Sequence, residues 1–247
     1  TGDLRGSVSP VTVAGLDFDR LETSLDWDAD RLRLRQLRLS APAGLLAGSG
    51  ELLFAGERLD FELTGERIDL AALPLAGLAE TRLRGHAALV ARLSGTVAEP
   101  RLVADAEFGD LELPGPGLAG SIGLPPAAAV GMGTPPAATG GEPAQRFAGT
   151  LHAELADRRL AVALDLPGLL TLSGGGAFAA GESGELRFAV KCDRLDRLIT
   201  IAAGQPVEGL AGTLAAELEV RFAPDRELAL ALRIPALELA YEQHRLH

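Results

Sequence analysis

Apolar side chains recur at every second position through most of this chain. In AAELEVRF, Ala216, Leu218, Val220 and Phe222 alternate with Glu217, Glu219 and Arg221. ELALALRI sets Leu228, Leu230, Leu232 and Ile234 in the same rhythm, RRLAVALDL sets Leu160, Val162, Leu164 and Leu166, and Arg31-Leu32-Arg33-Leu34-Arg35 alternates without error. At about 100° per residue such leucines would scatter round a helix, whereas at about 180° they share one face. Leucine and alanine favour helices on propensity alone, but packing on a pleated, half-buried surface outranks that preference, so the pattern predicts strands. Asp30-Arg31-Leu32, Glu57-Arg58-Leu59, Asp157-Arg158-Arg159-Leu160 and Asp225-Arg226-Glu227-Leu228 each put an acid and an arginine just ahead of a new apolar run. That spacing predicts successive antiparallel hairpins. Short helical turns are predicted at Asp69–Leu73 and Asp193–Ala203, the second with Leu195, Leu198, Ile199 and Ala202 in three-four spacing behind an Asp193 cap.

The strings also repeat. AGTLHAEL at 148–155 returns as AGTLAAEL at 211–218, 63 residues on. Phe61-x-Leu63-x-x-x-Arg67-Ile68-Asp69 returns as Phe188-x-Val190-x-x-x-Arg194-Leu195-Asp196, 127 residues on, and Leu83-Arg84-Gly85 meets Leu210-Ala211-Gly212 at the same distance. Leu4-Arg5-Gly6 reads as a further copy. A third feature is mechanical: Leu32-x-Leu34-x-x-Leu37-x-Leu39 keeps its spacing in Ala106-x-Phe108-x-x-Leu111-x-Leu113 and in Leu232-x-Ile234-x-x-Leu237-x-Leu239. Alternation runs, slips by one residue and resumes. In a strand such a slip is a bulge that returns the apolar side chains to their original face while the sheet bends. Fixed spacing at several places predicts a bent, repeating sheet with one dry face.

Composition narrows the picture. Hydrophobic residues make up 47% of the 247, too many for a disordered chain, yet aromatics make up only 4%, so the dry face is smooth and aliphatic. Acidic residues number 34 against 23 basic ones, and a net charge of −11 argues against nucleic acid and anionic lipid surfaces as partners. Cys192 is the only cysteine, which excludes an internal disulfide and a cysteine-based zinc site. Residues 113–141 carry no charge and are long enough to span a bilayer, but Pro114, Pro116, Pro125, Pro126, Pro135 and Pro136 would break a spanning helix. A flexible Pro/Gly/Ala loop is expected there. The chain opens Thr1-Gly2-Asp3 without a basic or apolar leader and is expected to be an excerpt of a longer protein.

Chemistry-bearing motifs are sparse, and no enzyme, cofactor or metal centre is expected. His244 and His247, three apart, are the only histidines near metal-ligand spacing; His86 and His152 stand alone. Gly174-Gly175-Gly176 and Gly131-Met132-Gly133 lack the Lys-Ser/Thr of a phosphate loop and read as turns, as does Gly48-Ser49-Gly50. Glu217 and Glu219 read as surface acids, Trp27 and Tyr241 as packing or edge residues, and Arg31, Arg33 and Arg35 as a solvated outer face.

The segments RLRLRQLRLSAPAGLLAGSGELLF (31–54), GERIDLAALPLAGLAETRLRGHAAL (65–89), LSGTVAEPRLVADAEFGDLELPG (93–115) and the AGTL strings together resemble the AsmA-like and TamB proteins, bacterial envelope members of the bridge-like lipid-transfer proteins. Leu93, Gly95 and Pro100 followed by Ala106–Leu113 match the family habit of a short Leu-x-Gly…Pro lead, an alternating strand and a leucine pair after a slip. The resemblance covers most of the chain apart from the Pro/Gly loop and contains no catalytic signature. It implies a long U-shaped sheet forming an open aliphatic groove, passage of phospholipid between inner and outer membranes, and a part in outer-membrane biogenesis. It also implies a parent in the periplasm of a Gram-negative-type bacterium, anchored in the inner membrane by a segment absent here, with an outer-membrane β-barrel (TamA-like) partner engaged through regions outside this chain.

The expected fold is therefore all-β: a long, curved, repeating, mostly antiparallel sheet folded into a U-shaped hydrophobic groove of the β-taco type, with short helical turns. A first groove segment is expected over 1–113, a loop over 114–145, and a second segment over 146–247 continuing the same sheet. The residues expected to line the groove are Leu32, Leu34, Leu37, Leu39, Phe61, Leu63, Phe108, Leu111, Leu113, Leu160, Val162, Leu164, Phe188, Val190, Leu218, Val220, Leu230, Leu232, Ile234, Leu237 and Leu239. Phospholipid acyl chains are the expected guest. Each buried methylene is worth ~0.8 kcal/mol, so a sixteen-carbon chain gains on the order of 10 kcal/mol against water. A uniform lining makes neighbouring positions nearly equal in energy, so a guest can slide. The alternative expectation is a structural or interaction β module that assists assembly or secretion of outer-membrane proteins, offering a sheet edge to a client.

Overall fold

The alternating runs become strands. The structure, a computed structural model, describes residues 1–13, 16–72, 84–112, 146–178, 183–203, 209–222, 228–241 and 244–246. Its strands are β1 (Gly2–Val8), β2 (Val11–Val13), β3 (Leu16–Phe18), β4 (Arg20–Trp27), β5 (Arg31–Ala41), β6 (Gly44–Leu53), β7 (Arg58–Asp69) and β8 (Arg84–Thr96). They continue as β9 (Pro100–Glu112), β10 (Arg146–Ala156), β11 (Arg159–Leu166), β12 (Leu170–Phe178), β13 (Gly184–Cys192), β14 (Leu210–Phe222), β15 (Leu228–Tyr241) and β16 (His244–Leu246). A 3-10 helix covers Leu70–Ala72 and α1 covers Leu195–Ala203. Fourteen strands, β1 and β4 to β16, form one sheet in chain order, and β2 and β3 form a small hairpin of their own. Every neighbouring pair is antiparallel, and the two outermost strands do not meet, so the sheet does not close into a barrel. Among the described residues the other sheet is the two-stranded β2–β3 hairpin, which touches the large sheet at β5. β9 pairs directly with β10, so the sheet runs on across residues 113–145, which lie outside the described residues together with Leu113 and the Pro/Gly-rich run.

The one-residue slips are bulges. Pairing shifts between Leu34 and Leu37 on β5, around Gly109 and Asp110 on β9, and opposite Ala216 at Ile234 and Pro235 on β15. The bulged Asp110 adopts a left-handed backbone at φ 49°. A fourth bulge, between Gly65 and Ile68 on β7 with Arg67 at φ 51°, was hidden in the sequence because Gly65 offers no side chain to mark the alternation. Asp157 and Arg158, at φ 50° and 58°, make the two-residue turn between β10 and β11, whose twist matches that of the strands.

Two glycine motifs correct the sequence reading. Gly48-Ser49-Gly50 lies inside β6 and Gly174-Gly175-Gly176 inside β12; neither is a turn. Their lack of a side chain serves close backbone approach instead. A Cβ on Gly175 would overlap the carbonyl oxygen of Leu160 on β11, and one on Gly176 that of Glu185 on β13. Phe61 and Phe188 sit opposite Gly50 and Gly174, so each ring has a bare neighbour. The helix cap is also corrected. The first backbone bond of α1 is donated by Leu198 to the carbonyl of Arg194, and the carboxylate in its first turn is Asp196, bound by Arg194 at 2.7 and 3.0 Å. A carboxylate one position inside the helix complements the dipole as an outside one would.

Strand alternation fixes where the extra elements go. β1, β7 and β13 run in the same direction, so the β2–β3 hairpin, the 3-10 helix and α1 all emerge at one end of the sheet. There the apolar face is covered. Leu70, Ala87, Leu111, Phe147, Leu166, Leu169 and Ile201 form the core cluster, with Ile68, Phe108, Leu164, Leu170 and Leu198 packed on it. β3 packs on β5 at the same end, where Phe18 and Leu39 are both buried. Among the described residues the opposite end carries tight turns, at 28–30, 54–57, 97–99 and 157–158.

Candidate functional site

Antiparallel partners share a face, so the registers can be followed from strand to strand across the sheet. One row runs Leu4, Leu25, Leu34, Gly50, Phe61, Leu93, Leu102, Leu155, Leu160, Gly176, Leu186, Val220 and Leu230. Every member is apolar or glycine. The next row toward the helical end runs Gly6, Thr23, Leu37, Gly48, Leu63, Ala91, Ala104, Ala153, Val162, Gly174, Phe188, Leu218 and Leu232, with the Thr23 hydroxyl its only polar side-chain group. A third runs from Val8, Leu21 and Leu39 through Leu46, Gly65, Leu89, Ala106, Leu151, Leu164, Leu172 and Val190 to Ala216. At about 4.8 Å per strand the first two rows extend roughly 58 Å measured along the sheet, and three rows stand roughly 13 Å tall.

Exposure divides this face. Leu39 and Leu111 are 6% and 5% exposed under the helical end, whereas Leu230, Leu232 and Ile234 are 64%, 63% and 53% exposed. Between them Leu32, Leu34, Leu37, Phe61, Leu63, Leu160, Val162, Phe188, Val190, Leu218, Val220 and Leu239 are half-buried, and Leu237 is exposed. Leu39, Leu111, Phe108 and Leu164 therefore belong to, or pack against, covered parts of the face and are not free lining, because α1, the 3-10 helix and the β2–β3 hairpin emerge over that end. The sequence reading missed Leu4, Leu25, Leu93, Leu102, Leu155 and Leu186, which with the glycines complete the first row. Counting outward from the tight turns, as from 97–99 to Leu93 and Leu102, would have found them.

The reverse face is charged and internally paired. Arg33 meets Glu51 at 3.1 Å, Arg92 meets Glu62 at 3.2 Å, Arg146 meets Glu112 at 3.2 Å, His152 meets Asp105 at 2.6 Å and Arg221 meets Glu185 at 3.4 Å, each across neighbouring strands. Arg31 reaches Asp28 at 3.4 Å and Glu51 at 3.9 Å. Exposed pairs of this kind add little stability singly, but a run of them fixes which face stays wet. The hydrogen bond from the Arg35 guanidinium, 2.5 Å away, holds the Asp26 carboxyl below its ordinary range. Asp28 is held low as well, chiefly by the backbone N–H of Asp30 at 2.9 Å. Burial pushes the Cys192 thiol up, which keeps it protonated and unreactive.

Two depressions lie on this charged face, each above a glycine-bearing strand. One, of about 540 Å³, lies over Ser49 and Gly50 between Arg33, Arg35, Asp60 and Glu62; the other, of about 500 Å³, lies over Ser173 between Arg187, Glu217, Arg221 and Arg233. Arginines and carboxylates line both together, so neither presents one sign of charge to a ligand. Among the described residues no group of three or more His, Cys, Asp or Glu could hold a metal ion, and no helix is long and apolar enough to cross a membrane. His247 and Gly131-Met132-Gly133 lie outside the described residues. Trp27 closes β4 with its ring over Gly2, and Tyr241 ends β15, half exposed. The arrangement is that of an open sheet with one exposed hydrophobic face, suited to a lipid or a protein surface. No family model, curated protein or solved structure matches this chain.

Proposed function

We propose that this chain is a segment of a TamB/AsmA-like, periplasm-spanning trough that binds acyl chains and conducts phospholipid between inner and outer membranes. The observation that carries the reading is the set of apolar rows, continuous over twelve or more strands, whose two rows toward the tight turns lie outside the covered end. Tails lie toward α1, and the polar group stays in water at the turn end beside the acid–arginine turns of Asp28–Arg31, Glu57–Arg58 and Asp157–Arg159. The glycine-bearing strands β6 and β12, where an added Cβ would meet a neighbouring strand's backbone, are natural lines along which such a sheet bends into a U. The sequence resemblance supports the same reading.

A second reading, an interaction module in outer-membrane protein assembly, is favoured by the same exposed apolar face, which suits a protein surface as well as a lipid. Native mass spectrometry separates the two. The chain, produced in a Gram-negative-type host, is expected to carry adducts that dissociate as intact phospholipid. A clean protein mass would overturn the trough and leave the interaction module.

A further inference from the structure

We propose that the tight-turn rim between β4 and β9 is a docking ledge for a basic amphipathic helix of a partner protein. Three turns, at 28–30, 54–57 and 97–99, are tied there into one step by backbone hydrogen bonds. The N–H of Phe54 donates to the carbonyl of Asp30 at 2.8 Å, and the N–H of Val97 donates to the carbonyl of Glu57 at 2.9 Å. The middle turn closes on itself, with the N–H of Glu57 donating to the carbonyl of Phe54 at 3.3 Å. A ledge bonded in this way is ordered before a partner arrives, so little entropy is lost there on binding. All three turns join strands that have neighbours on both sides, so the ledge does not depend on what lies beyond either outer strand.

The chemistry of the ledge selects the occupant. Phe54 and Val97 stand out on it, 46% and 54% exposed, and neither belongs to the apolar rows. Around them Asp30, Glu57 and Glu99 are exposed and make no ion pair among the described residues. Arg31 is held by Asp28 and Glu51, and Arg101 by Glu154 at 2.6 Å, which leaves Arg58 as the one cation of these turns without such a partner among the described residues. The unmatched charge is therefore negative. It opposes lipid phosphates and favours lysine or arginine, and the net charge of −11 draws a basic partner in from a distance. Successive turns of this rim are two strands apart, about 10 Å, and positions i and i+7 of a helix are separated by about the same distance. A helix along the rim sets apolar side chains at i and i+7 on Phe54 and Val97, and a lysine or arginine at i+3 or i+4 then comes over Glu57 between them. This inference does not depend on what the trough holds.

Trp27, the only tryptophan, ends β4 beside the 28–30 turn and so reports on this rim. The probe is a synthetic leucine–lysine helix of about eighteen residues, apolar on one face and carrying at its centre a nitroxide that quenches a nearby indole. In low salt it is expected to quench Trp27 with half-saturation at about tens of micromolar, as a small contact gives. Phe54→Ser with Val97→Ser, and separately Glu57→Lys with Glu99→Lys, are each expected to weaken this about tenfold or more while the circular dichroism spectrum stays unchanged, since all four side chains are exposed. Four outcomes would each overturn the proposal. They are an unquenched parent, quenching indifferent to either pair of changes, equal quenching by the same helix with glutamate in place of lysine, and quenching by nitroxide-bearing neutral phospholipid vesicles that is likewise lost in Phe54→Ser with Val97→Ser.

Discussion

Leu111→Glu is expected to unfold the covered end of the sheet, whereas Leu232→Glu is expected to leave the fold standing and remove its lipid. Both are leucines of the slipped repeats, Leu111 after the slip and Leu232 before it, and the structure covers one and exposes the other. Leu111 is 5% exposed, within a cluster that includes Leu70, Phe147, Leu166 and Ile201. A carboxylate there loses the leucine's burial and finds no partner, a cost on the order of 4 kcal/mol against a total stability of about 5–15 kcal/mol. Leu232 is 63% exposed, and glutamate in its place stays in water, with a change within about 1 kcal/mol. It pairs with Leu218 in the second apolar row, where a charge opposes a hydrocarbon tail. Urea unfolding followed by circular dichroism, with native mass spectrometry of the same samples, checks both. Equal destabilisation by the two changes would mean that the β15 end of the face is not open, and a Leu232→Glu protein still carrying lipid would mean that this row does not line the trough.

Gly175→Val is expected to be among the most destabilising changes in the chain, although it adds only an apolar side chain to a strand that favours such residues. Its Cβ falls on the Leu160 carbonyl oxygen, and that oxygen belongs to the backbone of β11 and cannot swing aside. The β11–β12 ladder must part, which costs on the order of 3 kcal/mol. Gly6→Ala is the counterpart on open ground: with nothing near the added methyl, the change should lie within about 0.5 kcal/mol, or stabilise slightly by restricting the unfolded chain. Urea midpoints measure both. Were Gly175→Val to unfold where the parent does, the close approach of β11 to β12, and the bend line drawn from it, would be wrong.

Much of the fold was legible because a strand's period of two is written directly in the chain. Arg31–Leu39 shows both alternation and slip, and the structure places a bulge where the slip falls. The Phe61–Asp69 and Phe188–Asp196 match marks two strands that each lead into a helical turn, the 3-10 helix and α1. The glycine strands were illegible for a physical reason: a residue without a side chain reads the same in a turn as in a strand pressed against its neighbours, and only the register separates them. The division of the apolar face was hidden as well. Leu111 and Leu232 are both leucines of alternating runs, and what separates them is the end at which α1 and the 3-10 helix emerge, which depends on strand direction counted across the whole sheet. The helix cap is displaced by one residue, since the carbonyl of Arg194, next to Asp193, accepts the first helical bond.

The alternation of faces itself can be read out one residue at a time. A photo-crosslinking side chain at Val162, in the second apolar row, should label phospholipid on illumination in lipid-containing extracts, and the same group at Ala163, one residue on and facing the charged side, should not. Equal labelling at the two positions, or labelling at Ala163 alone, would contradict a lipid-bearing apolar face.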